Sequence, residues 1–524
     1  MKRLFALLLA ISALASFAAC GGRASSISES SSGTSSSQPL EESSAAAAGR
    51  FDALHSTDEP LTLRLDFHGY KPSVNKEPTE ENPNVFNSSR TLSEEWLTDK
   101  PNIEIDWVRN KNGGATDAEL LEWMNIQLNA GTAPDLWFAW GSVFATQGWY
   151  VTLNEIIESP NYYEPGNPTW KDMYPEYLWK DAMHVDANED VIAIPFSIFP
   201  GPPTCYFYNP EIFEEVGISP STDWDTFFSD LQKVTEAGYI AFDPAGAGAP
   251  VAGNWDMQFS MRGYAMKDTS WDLDGDGIMS AMESIRSLWN GMWYMETNPG
   301  IQEVWQIQKD KYVNVVGVGN DAVDYAQDWI DGKLAVREAH VGETPAERSN
   351  TKRTFEFGQM PPPIKSSEYT GTIQWTESGP YMPQPMEAYN IMNPEIQDRP
   401  EAIVDYCVDF MKFVSTTENQ SVLVEERQGA VMGAVKTCAV PTILAEWYTQ
   451  SFPMNPTVSI PVTSTSDPQI SKLLEQYMLD MVTEEAFISS YDRLVYQDLL
   501  RYIENNNVDV SEWGEAYVPA SARE

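Results

Sequence analysis

The stretch TCYFYNPEIFEEVGI at residues 204–218 predicts a strand followed at once by a short helix that begins near Asn209. The next segment, DWDTFFSDLQKVTEAG at 223–238, predicts a capped amphipathic helix. One face of this helix carries its apolar residues, which are Phe227, Phe228, Leu231 and Val234. A strand followed by helices with one apolar face indicates an α/β protein.

Segments on the N-terminal side repeat this alternation. LTLRLDF at 61–67 and NIEIDWV at 102–108 predict two strands, and DAELLEWMNIQLNAG at 117–131 predicts a helix that stops at its glycine. APDLWFAWG at 133–141 and DVIAIPF at 190–196 predict two further, buried strands. The order strand, helix, strand is typical of a mostly parallel sheet.

The C-terminal half continues with strand-like GKLAVREA at 332–339 and the segment GPYMPQPMEAYNIMN at 379–393. Helical patterns follow at about 399–415, 470–482 and 491–505. The sequence contains no internal repeat with a period of 20–50 residues.

Length and charge limit the function. A chain of 524 residues is too long for one core, so at least two domains are expected. The formal net charge of −44 repels nucleic acid and anionic lipid, and it favours a neutral or cationic solute over an acidic one.

The N-terminus has the features of an export signal. A basic start at Lys2 and Arg3 precedes a short apolar run, and Ala18-Ala19 precede Cys20. We expect residues 1–19 to be a signal peptide and Cys20 to carry lipid, such as palmitate, although an ordinary secretory signal with a chance cysteine is the alternative. Residues 20–58 are then a Ser-rich, disordered tether to the outer face of the cell membrane.

The four cysteines are too few for a disulfide scaffold. Cys407 and Cys438 could pair if the fold brings them together, and free buried thiols are the alternative.

The segment DLDGDGIMSAME at 272–283 matches the twelve-residue calcium loop of EF-hands. Oxygen ligands for one structural Ca²⁺ would come from Asp272, Asp274, Asp276, Ile278 (through its carbonyl), Ser280 and Glu283. The alternative is a solvated acidic turn in an acidic protein.

Motifs of catalysis are absent: the sequence has no G-x-S-x-G, H-E-x-x-H or P-loop. Its four histidines, which are His55, His68, His184 and His340, are scattered along the chain. Carboxylates are abundant, so a lipid-anchored glycoside hydrolase with two paired acids is an alternative that counting residues leaves open.

Four stretches in this order resemble the extracellular solute-binding proteins of ABC importers, in particular their carbohydrate-binding group. They are LNAGTAPDLW (128–137), VIAIPF (191–196), YNPEIFEEVGISPSTDWDTF (208–227) and DWIDGKLAV (328–336), the last followed by GQMPPP (358–363). A later helix at 399–415 and GAVMGAVKT (429–437) add to the resemblance.

The resemblance implies a two-lobed, periplasmic-binding-protein-like α/β fold with a hinge and a ligand cleft between the lobes. Lobe 1 would comprise 59–200 plus 385–437, and lobe 2 would comprise 201–384 plus 438–524. The chain would cross between them near 197–205, 378–386 and 436–442.

Aromatic rings pack on the C–H faces of sugars, so aromatic residues near strand ends and crossings are candidate ligand contacts, with nearby carboxylates accepting hydroxyl hydrogen bonds. The candidates are Trp137, Trp140, Tyr206, Tyr208, Trp255, Asp256, Trp375, Glu377 and Tyr389. For each ring, packing in a core is the alternative.

The sequence therefore predicts a monomeric receptor that is not an enzyme. It would capture a sugar or oligosaccharide outside the cytoplasm and pass it to the permease subunits of an ABC importer. The alternatives are the glycoside hydrolase and a surface adhesion or scaffold protein.

Overall fold

The fold is described from a computed structural model. The structure describes residues 49–523 except for 80–84, 109–116, 139–143, 146, 182, 187, 200–203, 222, 244–267, 278, 314–323, 341–342, 361–362, 364–384 and 445–467.

The described residues form strands and helices in alternation. The strands are β1 (Leu61–Leu65), β2 (Ile103–Trp107), β3 (Leu136–Phe138), β4 (Ile194–Ile198), β5 (Thr204–Tyr208), β6 (Ile240–Asp243), β7 (Leu334–His340), β8 (Gly358–Met360), β9 (Pro385–Ile391) and β10 (Met432–Gly433). The helices are α1 (Ser88–Trp96), α2 (Asp117–Ala130), α3 (Asn154–Ile157), α4 (Pro210–Val216), α5 (Trp224–Glu236), α6 (Ala281–Trp289), α7 (Pro299–Val313), α8 (Tyr325–Ile330), α9 (Thr344–Arg348), α10 (Ala402–Val414), α11 (Thr417–Glu426), α12 (Pro468–Met478) and α13 (Glu484–Asn505).

The segment at 204–218 folds as predicted. Strand β5 leads into α4, where the side chain of Asn209 accepts a hydrogen bond from the N–H of Glu211 and Gly217 ends the helix at a φ of +74°. Asp223 caps α5 in the same way. The strand predicted at 190–196 begins later, at Ile194, because the N–H groups of Ile192 and Ala193 instead donate to the carbonyl of His184.

The first sheet has six strands in the order β10-β4-β9-β3-β1-β2. Strand β1 pairs in parallel with β2 and β3, whereas β9 runs antiparallel to both β3 and β4. Strand β10 is antiparallel to β4. The carboxyl ends of β1, β3 and β4 therefore lie at one edge, together with the starts of β9 and β10.

The second sheet has four strands in the order β6-β7-β5-β8. Strand β5 is antiparallel to β7 and β8, and β6 is parallel to β7. The start of β5 consequently shares an edge with the carboxyl ends of the other three strands. The strands of the first sheet fall within 59–200 and 385–437, and those of the second sheet fall within 201–384.

A separate helical body packs beside these sheets. Helices α6, α7, α12 and α13 enclose a hydrophobic cluster of their own, in which Trp293, Trp305 and Tyr491 are almost fully buried. Asp492 on α13 accepts hydrogen bonds from the N–H groups of Met295 and Glu296, which joins the two parts of the chain that build this body.

The end of the predicted tether is fastened to the folded part. Arg50 forms ion pairs with Glu401 and Asp405 next to and within α10. The buried ammonium of Lys412 donates hydrogen bonds to the carbonyl of Phe51 at 2.7 Å and to Ser159 at 2.8 Å. Arg50 and Phe51 thus contact the folded part, although the sequence places them in the tether. Within the described residues no helix has the length and apolar character to cross a bilayer.

Candidate functional site

The facing edges of the two sheets define the candidate site. The chain leaves the first sheet at Ile198 and enters the second at Thr204, so these strand ends lie within about 20 Å of each other. This connection joins the edge that holds the carboxyl ends of β1, β3 and β4 to the edge that holds those of β6, β7 and β8. Crevices beyond the carboxyl ends of strands are where open α/β sheets bind ligands.

A buried carboxylate lies at the first edge. Glu387 on β9 is fully buried, and its Oε1 lies 2.8 Å from Nδ1 of His68, which follows β1 directly. Its Oε2 accepts a hydrogen bond of 3.2 Å from the hydroxyl of Ser197 on β4. Burial alone would raise the pKa of Glu387, but the hydrogen bond from His68 and the charge of Arg427 lower that pKa below its ordinary value.

Arg427 completes this group from the end of α11. Its Nη1 lies 3.7 Å from Oε1 of Glu387, and its guanidinium lies 5.2 Å from the centre of the Tyr70 ring. A Cβ at Gly69 would overlap Arg427 and lie 2.5 Å from Glu387. Glycine is therefore the residue that allows the charged groups to approach the backbone after β1.

The ring of His68 rests on Phe138 at the end of β3. The two ring centroids are 4.1 Å apart with an interplanar angle of 23°. The His68 side chain is 27% exposed. We call His68, Phe138, Ser197, Glu387 and Arg427 the His68 site.

Asp66, two residues before His68, is a second buried carboxylate near this edge. Asp66 is fully buried and pairs with Lys71 at 3.3 Å. Burial raises the pKa of Asp66 to about 6, although the charges of Lys71 and His68 oppose this shift.

The second edge holds another buried ion pair. Nζ of Lys311 on α7 lies 2.8 Å from Glu338 on β7, and each side chain is 2% exposed. The ammonium also lies 5.7 Å from the ring centres of Tyr206 and Phe242. Both edges therefore carry charges that are compensated within the protein.

Three of the predicted ligand contacts are interior residues in this structure. Trp137 packs against Phe144 and Trp149, Tyr389 packs against Phe67, and Tyr206 stacks on Phe227. All three predicted rings are fully buried. Their environment matches the alternative of core packing, because a ring enclosed on all sides has no face for a ligand.

Tyr208 lies at the end of β5 away from the junction, where its ring packs 4.7 Å from that of Phe213. The other predicted ligand contacts are outside the described residues; they are Trp140, Trp255, Asp256, Trp375 and Glu377. Cys20 and the predicted signal peptide are also outside the described residues. Cys407 and Cys438 are free thiols in the structure, so the pairing left open by the sequence is not formed.

The acidic loop at 272–283 folds around its own carboxylates. Asp272 accepts hydrogen bonds from the N–H groups of Gly275 at 2.8 Å and Gly277 at 3.1 Å, and both glycines have positive φ. One carboxylate oxygen from each of Asp272, Asp274 and Asp276 lies within 4.8 Å of the others. Convergent carboxylates of this kind fit a hard cation.

Two of the predicted calcium ligands, Ser280 and Glu283, form hydrogen bonds within the acidic loop. Glu283 accepts hydrogen bonds from the N–H groups of Leu273 and Ser280, and the Ser280 hydroxyl accepts one from the N–H of Glu283. This capping box starts α6. Ile278 is outside the described residues.

Lys180 supplies a positive charge to the acidic loop. Its ammonium forms an ion pair with Asp276 and lies 3.4 Å from Asp274. The hydrogen bond to Asp276 raises the pKa of Lys180. An ion bound by the three aspartates would compete with this lysine.

Sequence reasoning missed the His68 site, because its members lie in five separate segments of the chain. The available signals were the position of His68 immediately after a predicted strand and the presence of an acidic residue in the strand-like segment that forms β9. Each signal alone was weak.

Comparison with known proteins gives structural neighbours. No family profile and no curated protein matches the sequence. A family 1 extracellular solute-binding protein from Bifidobacterium longum subsp. infantis is 14% identical with a TM-score of 0.53, over 84% of this chain and 99% of the other. A chitin oligosaccharide binding protein is 14% identical with a TM-score of 0.55, over 86% and 100%. A cyclic alpha-maltosyl-1,6-maltose binding protein from Arthrobacter globiformis is 13% identical with a TM-score of 0.52, over 85% and 100%.

At this level of identity the comparisons show the fold. The protein has the two-lobed α/β fold of extracellular solute-binding proteins, which confirms the predicted fold class.

Proposed function

We propose that this protein is an extracytoplasmic solute-binding protein that captures a neutral sugar or oligosaccharide at the junction of the two sheets. The observation that carries the proposal is the meeting of the strand ends of both sheets at one junction, in a fold shared with sugar-binding receptors. Closure of the lobes around the ligand would then be driven by binding energy.

The charges at the junction support a neutral ligand. Glu387 accepts a hydrogen bond from His68 and lies beside the charge of Arg427, and Glu338 is compensated by Lys311. An ionic ligand would have to replace one of these partners, and breaking a buried pair is costly. The net charge of −44 adds a general repulsion of acidic sugars.

Glu387 is also unsuited to the acid role in glycosidase chemistry. A glycosidase needs one carboxylic acid that is protonated at working pH. The lowered pKa of Glu387 keeps its carboxylate ionised, so this residue is a poor proton donor. We therefore propose a receptor, with the glycoside hydrolase as the alternative that product analysis would reveal.

The remaining parts of the proposal rest on the sequence. Lipid on Cys20 would hold the protein at the outer face of the membrane, and an ABC importer would take the ligand from it. Trp140 and Trp375 are proposed to stack on the sugar, because aromatic rings near strand ends and crossings can pack on its C–H faces.

We also propose that the acidic loop binds one structural calcium ion. The convergence of Asp272, Asp274 and Asp276 supports it. The ion would neutralise three carboxylates and fix the start of α6, and it would leave the junction of the sheets untouched.

A thermal-shift screen tests the proposed receptor function. The panel contains chitin oligosaccharides, galactose, xylo-oligosaccharides, cyclic maltosyl-maltose and, as an acidic control, galacturonic acid. A neutral ligand at 100 times its dissociation constant should stabilise the protein by about 2.7 kcal/mol. Stabilisation by the acidic sugar alone would contradict the argument from charge.

A further inference from the structure

His68 occupies a position in the fold that is open to a ligand. It follows β1 at the carboxyl edge of the first sheet, and its ring is held on one face by Phe138. The nitrogen Nδ1 is directed to the fully buried Glu387. The edge of an imidazole opposite Nδ1 is the Nε2–Cδ2 bond, and 27% of the side chain is exposed.

Glu387 determines which nitrogen carries the proton. An ionised carboxylate only accepts hydrogen bonds, and Ser197 and Arg427 already approach Glu387 as donors. The short contact to His68 therefore requires a proton on Nδ1. With a single proton on the ring, Nε2 is then an acceptor. No described residue forms a hydrogen bond with Nε2.

We propose that His68 is a specificity-determining residue whose Nε2 accepts a hydrogen bond from a hydroxyl group of the bound sugar, and that Glu387 is the residue that positions it. This inference rests on the proposed function and adds a named contact to it. A site that accepts a hydrogen bond from a hydroxyl discriminates against analogues in which that hydroxyl is missing or methylated.

Two substitutions distinguish the role of Nε2 from that of Nδ1. The amide of His68→Gln reaches about as far as Nε2 and retains an acceptor for the ligand. The shorter amide of His68→Asn reaches about as far as Nδ1 and can satisfy Glu387 only. His55→Gln, at an exposed position of the N-terminal segment, is the matched control.

The affinity for each neutral sugar that stabilises the wild type is measured by calorimetric titration. His68→Gln and His55→Gln should bind within about threefold of the wild type, and His68→Asn should bind about tenfold more weakly, the order of one hydrogen bond. Equal affinity of the two His68 variants would overturn the role of His68 and leave the receptor function standing. Failure of every neutral sugar to bind the wild type would overturn the receptor function, and this inference with it.

The role of Glu387 has a readout that is independent of any sugar. Two-dimensional ¹H–¹⁵N spectra of the histidine rings, assigned with His68→Gln, report which nitrogen is protonated. The expected result is an Nδ1–H tautomer in the wild type that is lost or mixed in Glu387→Gln. An Nε2–H tautomer in the wild type, or one unchanged by Glu387→Gln, would show that Glu387 does not orient the ring.

Discussion

The His68 site and the acidic loop are two charged groups built in opposite ways. The acidic loop takes its three aspartates from five consecutive residues, and its partner Lys180 is partly exposed. The His68 site collects its five residues from segments up to hundreds of positions apart, around a fully buried carboxylate. Water screens the first group and not the second, so removal of one charge should have very different consequences.

Loss of the buried carboxylate should have the largest effect. Glu387→Ala leaves Arg427 and His68 without their shared partner, and it should lower the free energy of unfolding by about 3–5 kcal/mol. Denaturant unfolding measures the change. The matched control is Glu401→Ala, which removes an exposed partner of Arg50 and should change little. Equal effects of the two substitutions would contradict the contrast between buried and screened charges.

Calcium should have the next largest effect, and only through the acidic loop. At 100 times its dissociation constant the ion should stabilise the protein by about 2.7 kcal/mol. Asp276→Asn should abolish this stabilisation, because it removes one of the three converging charges. Melting temperatures with EDTA and with added calcium check both statements. A wild type that is unaffected by calcium would show that the cluster is a solvated acidic turn.

Asp66 should make stability depend on pH. Its folded-state pKa of about 6 is above the ordinary value of 3.8, so the native state holds a proton that the unfolded state releases. The resulting penalty is absent below the unfolded pKa and grows as the pH rises through 6, towards a full value of about 3 kcal/mol. The melting temperature of Asp66→Asn should therefore increase relative to that of the wild type as the pH rises from 4 to 7. A constant difference across this range would refute the assignment.

Lys180→Met should have the smallest effect on stability. Its ion pairs with Asp274 and Asp276 are partly exposed, and such pairs contribute about 0–1 kcal/mol. Because the ammonium competes with a bound ion, its loss should raise the affinity for calcium several-fold. Calcium titration of the two proteins tests this, and an unchanged or weakened affinity would mean that Lys180 does not compete.

Local signals in the sequence predicted local structure well. The helix start at Asn209, the capped helix at 223–238 and the acidic loop were found because each depends on residues that are neighbours in the chain. The fold class followed from the same signals taken in order. Helix α13 was predicted to begin near 491, but it begins at Glu484. The prediction missed its first residues because the cap residue Thr483 is not part of an apolar pattern.

The candidate site was harder to predict, because it depends on pairing between distant segments. The sequence could not show whether Trp137, Tyr206 and Tyr389 lie in the interior or at the junction. The same aromatic residue types fill protein cores and contact sugars. Glu387 lies in a fully buried strand, and its partners became evident only when β9 was paired with β4.

The most direct test of the account is calorimetric titration of the neutral sugars into the wild-type protein, followed by chromatography of the recovered sugar. The account predicts that at least one sugar binds with a stoichiometry of one and is recovered intact. Cleavage of the bound sugar, or the absence of binding by every neutral sugar, would contradict the claim that this protein is a carbohydrate receptor.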